Sequence, residues 1–126
     1  MKKKNDHFLI GRLKSIRYAM RGVWFLITTE ASIKVQLFIA IMSIVAGFYF
    51  QISTTEWLIQ VTIIGLVLMA ESLNTGIEKL SDFIHPEYHK KIGFIKDISA
   101  GSVAIVAILS LIIAGIIYLP KIALLF

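Results

Sequence analysis

The 126 residues contain no cysteine and only two prolines. Without cysteine, disulfides and thiolate metal sites are excluded, and the redox compartment is left open. Charge is scarce as well: Asp, Glu, Lys and Arg make up 17% of the chain, against about 25% in an ordinary globular domain. That is too little polar surface to cover a soluble protein of this size. Acidic residues are the scarcest, eight against 13 Lys and Arg, which leaves a net charge of +5. No Walker-type phosphate loop is present, nor a kinase Gly-rich loop followed by a catalytic aspartate motif. Internal repeats and low-complexity tracts are missing too. What is abundant is apolar: 57% of the residues, at a mean hydropathy of +0.81. The chain therefore reads as a single all-α integral-membrane unit over residues 1–126, and nucleic acid is excluded as a partner.

Four segments follow from the pattern. The first, Met1 to about Thr29, opens with Lys2-Lys3-Lys4 and carries Leu9, Leu13, Ile16, Met20, Trp24 and Ile27 at helical spacing. Lys14, Arg17 and Arg21 border that stripe, as in a helix lying in the membrane interface against anionic headgroups. With no continuous apolar core and no small-residue cleavage site, it is not a secretory signal. Spans are expected over 33–52, 57–80 and 98–119, each near the 20 residues that cross a bilayer. Ser53, Thr54 or Thr55 is available to cap the second span. His85-Pro86 forces a break, and Pro120-Lys121 closes the last span. Ala100, Gly101, Ser102 and Ala104 permit close helix approach. Trp24 and Trp57 read as interfacial anchors. Lys and Arg crowd the N-terminal segment and the Lys79 to Lys96 connection but are missing from the Gln51 to Glu56 turn. The positive-inside rule therefore places the N-terminus and the charged connection in the cytoplasm.

The chemistry concentrates where the second span changes character. If its helix continues past Ala70, then Glu71, Asn74, Thr75, Glu78 and Asp82 share one face, at spacings of three, four and seven. A carboxylate at membrane depth costs about 2.5–3.5 kcal/mol even on the most lenient scale, so such a row must be neutralised. Glu71, about one turn inside the boundary, suits a general base for a hydroxyl delivered from the lipid phase. The competing reading is a carboxylate paired with a basic residue of a neighbouring helix. Glu78 and, from a different helix, Glu30 are the kind of oxygen donors that a magnesium ion accepts together with phosphate oxygens. Lys96 at the opening of the last helix could neutralise a nucleotide phosphate while Asp97 caps the helix or orients the lysine. His85 and His89 flank Pro86 in a loop with no cysteine nearby and read as headgroup or nucleotide contacts.

In this order and spacing the residues resemble the bacterial integral-membrane diacylglycerol kinase and undecaprenol kinase family. The resemblance rests on Glu71-Ser72-Leu73-Asn74-Thr75-Gly76-Ile77-Glu78, then Asp82, Glu87-Tyr88-His89 and Ile95-Lys96-Asp97, with Glu30 upstream. It implies a homotrimer of chains, each with an amphipathic surface helix and three transmembrane helices. The active sites would be completed between subunits at the cytoplasmic face of the bacterial inner membrane. It further implies Glu71 as the catalytic base, Glu30 and Glu78 as Mg2+ carboxylates, and Asn74 as an orienting residue. ATP would be held by Tyr18, Glu87, Tyr88, His89, Lys96 and Asp97, with Arg12, Lys14 and Asp82 as further orienting or substrate-contacting positions. The acceptor would be a membrane lipid alcohol, diacylglycerol or undecaprenol.

Gln36 stands where proteobacterial diacylglycerol kinases have a glutamate, Phe94 where they have an arginine, and Gly11, beside Arg12, where they have their N-terminal arginine. The Lys96 to Ser102 tail is closer to the undecaprenol kinase branch. These differences bear on the lipid rather than the reaction. Intramembrane carboxylates also suit two other classes, an ion-coupled transporter and a membrane assembly subunit. A transporter would need polar groups through the full membrane depth, whereas the halves of the helices away from Glu71 are expected to be nearly purely apolar.

Overall fold

The computed structural model describes residues 7–126, so Lys2-Lys3-Lys4 lies outside the described residues. Four helices follow one another: α1 over Phe8–Thr29, α2 over Ala31–Tyr49, α3 over Thr54–Ile84 and α4 over Lys90–Ala123. The last three are long and apolar enough to cross a membrane.

Two of them are longer than the sequence suggested. Helix α3 runs 31 residues, about 46 Å at 1.5 Å per residue, well beyond a hydrocarbon core of about 30 Å. Its start is fixed by a capping box, in which Ser53 accepts from the Glu56 N–H while the Glu56 carboxylate accepts from the Ser53 N–H. Past Ala70 the helix continues without interruption until the break before Pro86, because Glu71 to Ile84 contains no proline and only one glycine. Helix α4 begins at Lys90 rather than at Ile98. Its N-cap is His89, whose Nδ1 accepts from the Lys91 N–H at 3.1 Å. Lys96 and Asp97 therefore sit two turns inside the helix, and Asp97 is not its cap. Nor does Pro120 end it, for the helix runs on to Ala123. A single proline so near the C-terminus forfeits little of the hydrogen-bond ladder.

Helices α3 and α4 form the main packed pair and run antiparallel in strict register. Gln60 meets Tyr118 near one end and Asp82 meets Lys96 at the other, and the interval between these contacts is the same on both helices. Helix α2 packs on α3, and α1 meets α2. Helices α2 and α3 meet tightly at Gly47, where an added Cβ would stand 2.6 Å from Trp57 Cη2. Trp57 is thus a packing residue, tilted against Phe48 with ring centroids 4.9 Å apart, whereas Trp24 is exposed.

The core is thin. Ile33, Ala40, Ile52, Ile63, Val67 and Ile117 are its buried apolar members, while Phe38, Val45, Ile105, Ile112 and Ile116 all face outward. Outward apolar surface on this scale suits acyl chains rather than water. The hydroxyls of Ser43, Thr62, Ser72 and Ser110 bond to carbonyls one turn back in their own helices, the usual way to carry such groups in an apolar helix.

Candidate active site

Along α3 the buried residues are Gln60, Ile63, Val67, Glu71, Asn74, Thr75 and Ser81, steps of three, four and seven that trace the face turned toward its neighbours. Glu71 lies about 26 Å from the start of the helix, near the limit of the hydrocarbon layer. The apolar part of the stripe thus ends where the polar part begins. Glu71 is 7% exposed, and among the described residues no basic side chain forms an ion pair with it. The competing reading, a carboxylate neutralised by a basic residue of a neighbouring helix, is not realised among the described residues.

One turn on, Asn74 is equally buried and its Nδ2 donates to Glu78 Oε1 at 3.2 Å. Its Oδ1 is buried and has no hydrogen-bond partner. Across the α3–α4 seam, at the level of Glu78, the Ser99 hydroxyl is in the same condition. A buried polar atom without a partner costs about 1–3 kcal/mol, and it is rare enough in folded proteins to mark a place kept for something else. Sequence inspection missed Ser99. The signal was present in its position two residues after Lys96-Asp97, but nothing local separates it from the back-bonded serines.

The remaining candidates are spread along the chain. Glu30 occupies the α1–α2 junction, where it is at once the C-cap of α1 and the N-cap of α2. Lys79 reaches it from α3 with Nζ 3.2 Å from Oε1. Farther along, Asp82 and Lys96 join α3 to α4 at 2.5 Å. Glu87, Tyr88 and His89 make the exposed α3–α4 turn, in which His85 Nδ1 lies 2.7 Å from the Glu87 carbonyl and the Tyr88 ring lies over Gly93. Asp97 is exposed on α4. On α1, Arg12 is exposed with its guanidinium over the Phe8 ring, Lys14 is half-buried, and Tyr18 is half-buried beneath Arg21. By helix rise alone Tyr18 stands about 18 Å from Glu30. One chain therefore brings Glu71, Asn74 and Glu78 together, places Glu30 beside Lys79 and joins Asp82 to Lys96, but does not gather α1 onto the same cluster.

The donor types fit a hard divalent cation: carboxylate oxygens of Glu30 and Glu78 and the orphaned amide oxygen of Asn74, all of them oxygen. Among the described residues no group of three or more Asp, Glu or His side chains comes together to hold a metal ion.

The opposite half of the bundle corrects one expectation, because it is not purely apolar. Gln60 is buried, its Nε2 donates to the Ser43 carbonyl at 3.1 Å, and Tyr118 hydrogen-bonds both to Gln60 Oε1 and to the Ser43 carbonyl. Beyond it Lys121 pairs with Glu56 at 2.7 Å. A cavity of about 130 Å³ lined by Gln36, Ser43, Val67 and Tyr118 lies in this region, away from the carboxylates.

Fold and site together define a small multi-pass membrane protein with a carboxylate-rich cluster at one end of its helices. The chain belongs to the prokaryotic diacylglycerol kinase family, whose model matches residues 17–118. It is 36% identical over 108 residues to the undecaprenol kinase of Bacillus subtilis (strain 168), covering 86% of this chain and 88% of that one. It is 29% identical to a diacylglycerol kinase of Synechocystis, covering 86% of this chain and 62% of the relative. With the diacylglycerol kinase of Escherichia coli (strain K12) it shares 25% identity, over 79% of this chain and 82% of the relative.

Proposed function

We propose that this lipid kinase transfers the γ-phosphoryl group of ATP to the hydroxyl of a membrane lipid, with undecaprenol as the favoured acceptor. The observation that carries the reading is the buried Glu71–Asn74 pair, located where α3 leaves the hydrocarbon layer, in a chain of this family. The choice of lipid rests on the undecaprenol kinase relative, whose 36% identity exceeds that of the diacylglycerol kinases.

In this reading the lipid hydroxyl oxygen bonds to the γ-phosphorus as the bond to the ADP oxygen breaks, and Glu71 takes the hydroxyl proton. Phosphoryl transfer has a loose transition state, so alignment counts for more than a strong base. Asn74, tied to Glu78, presents its spare amide oxygen to the reacting groups. Glu30 and Glu78 would hold Mg2+, which when bound offsets charge on the phosphate oxygens. Lys96 faces the phosphates, supported by Asp82 and Asp97. The exposed Glu87-Tyr88-His89 turn, with Tyr18, holds the nucleotide from the aqueous side.

Helix α1 lies in the interface with Arg12 and Lys14 among anionic headgroups, and its exposed Leu13, Ile16, Met20 and Trp24 among acyl chains. The site faces the cytoplasm of a bacterial cell, at the inner membrane. Three chains assemble, so that α1 of one serves the cluster of another. The outward apolar faces and the separation of Tyr18 from Glu30 support this arrangement. The transporter reading gains nothing from the Gln60–Tyr118–Ser43 group, because those atoms are bonded to one another rather than lining a continuous path.

The test is Mg2+-dependent transfer of labelled γ-phosphate from ATP by purified protein in mixed micelles, with undecaprenol and diacylglycerol offered in parallel and Glu71→Gln as control. Preferential labelling of undecaprenol is expected. Preferential labelling of diacylglycerol overturns the choice of lipid, and labelling of neither overturns the reaction.

A further inference from the structure

The contact that Glu30 makes is not one its role as a metal carboxylate calls for. Lys79 extends from α3, next in sequence to Glu78, and places its ammonium 3.2 Å from Glu30 Oε1. The same ammonium lies 5.1 Å from the centroid of the Phe25 ring on α1, a cation–π arrangement that gives it a second reason to stay. Glu30 retains a quarter of its side-chain exposure and Lys79 about half, so the pair is reachable from water and readily exchanged. Glu30 itself is held in place, since it is the shared cap between α1 and α2. The backbone at Glu30 is thus fixed, while its carboxylate makes no capping bond of its own and the cation on it is mounted on a flexible four-carbon stem.

We propose that Lys79 is a built-in competitor for the divalent cation at Glu30, so that metal binds there well only when it arrives with a polyphosphate. This rests on the assignment of Glu30 and Glu78 as metal carboxylates. A dipositive ion brought alone to Glu30 must displace the ammonium or sit beside it, and like charges a few ångströms apart repel. When the ion comes with nucleotide, the phosphate oxygens offer the displaced ammonium new partners within the sweep of its side chain, and the repulsion is offset. Lys79 then changes hands from Glu30 to phosphate, loosening its hold on the α1–α2 junction as substrate binds. The device would keep the carboxylates from being loaded by free cations while allowing the metal–nucleotide complex in.

The probe is Mn2+, titrated into the full-length protein in detergent micelles and followed by electron paramagnetic resonance, with and without a non-hydrolysable ATP analogue. In the absence of nucleotide, Lys79→Met is expected to bind Mn2+ roughly tenfold more tightly than the wild type, Lys79→Arg to behave as wild type, and Glu30→Gln/Lys79→Met to lose the gain. With nucleotide, the advantage of Lys79→Met should shrink or reverse. A gain in affinity is not something misfolding produces, so disruption of the α1 junction cannot imitate the expected result. Mn2+ binding that depends on Glu30 but is unchanged by Lys79→Met overturns the role of Lys79 and leaves the metal assignment standing. Nucleotide-supported Mn2+ binding indifferent to both Glu30→Gln and Glu78→Gln overturns the assignment and the inference with it.

Discussion

Both ends of the helical bundle bury polar side chains but treat them in opposite ways. At the Gln60 end, the amide, the Tyr118 hydroxyl and the Ser43 carbonyl bond to one another, and Glu56 is shared between its own cap and Lys121. At the Glu71 end, Asn74 Oδ1 and Ser99 Oγ are buried without partners, and Glu71 forms no ion pair among the described residues. A saturated polar group in an apolar layer fixes the register of helices; an unsaturated one is a cost the fold tolerates for chemistry. The first end should therefore respond to mutation in stability, and the second in activity.

The largest effect should come from Glu71→Gln, which keeps shape and removes the proton acceptor. Turnover is expected to fall by about 10²–10⁴ with unfolding in detergent unchanged, and near-normal turnover would remove Glu71 as the base. Asn74→Ala should cost about 10²-fold in activity through misalignment. It should cost little stability, because half of its amide has no partner to lose; a large stability loss with normal specific activity would reverse the comparison. At the other end, Gly47→Ala drives a methyl group to 2.6 and 2.8 Å from the Trp57 ring and 3.1 Å from Ile52 Cδ1, and should destabilise by about 1–3 kcal/mol. Denaturation in SDS, followed by circular dichroism, measures it. Gln60→Leu should cost about 1 kcal/mol and leave the specific activity of the folded protein near wild type; a selective loss of kcat would show that the polar network couples to the site. The smallest effect is expected at Gln51, whose φ of 51° puts a non-glycine residue in the left-handed region at the α2–α3 turn. Gln51→Gly should gain up to about 1 kcal/mol, and a loss instead would show that the side chain is needed there.

Much of the candidate site is legible along one helix. Glu71, Asn74, Thr75 and Glu78 follow from the 3.6-residue period of α3, and of these the structure buries the first three and exposes Glu78. The ends of the helices were less legible. Lys90 to Asp97 is too polar to resemble a span, yet it is helical, because α4 projects beyond the hydrocarbon layer where charge costs nothing. Ser99 could not be separated from Ser102 or Ser110 by inspection, since all three are small hydroxyls in an apolar helix and only the structure shows which of them makes no hydrogen bond.

What the sequence by itself determined is therefore everything that repeats with a helical period: three spans, the polar face of α3, and the break at His85-Pro86. Those depend on hydropathy and backbone geometry within one segment. What only the tertiary structure decided is pairing: Gln60 with Tyr118, Asp82 with Lys96, Lys79 with Glu30, and which buried atoms are left over. Pairing depends on the register of one helix against another, set by the side chains of both at once, such as Gly47 against Trp57. No property of either segment alone contains it.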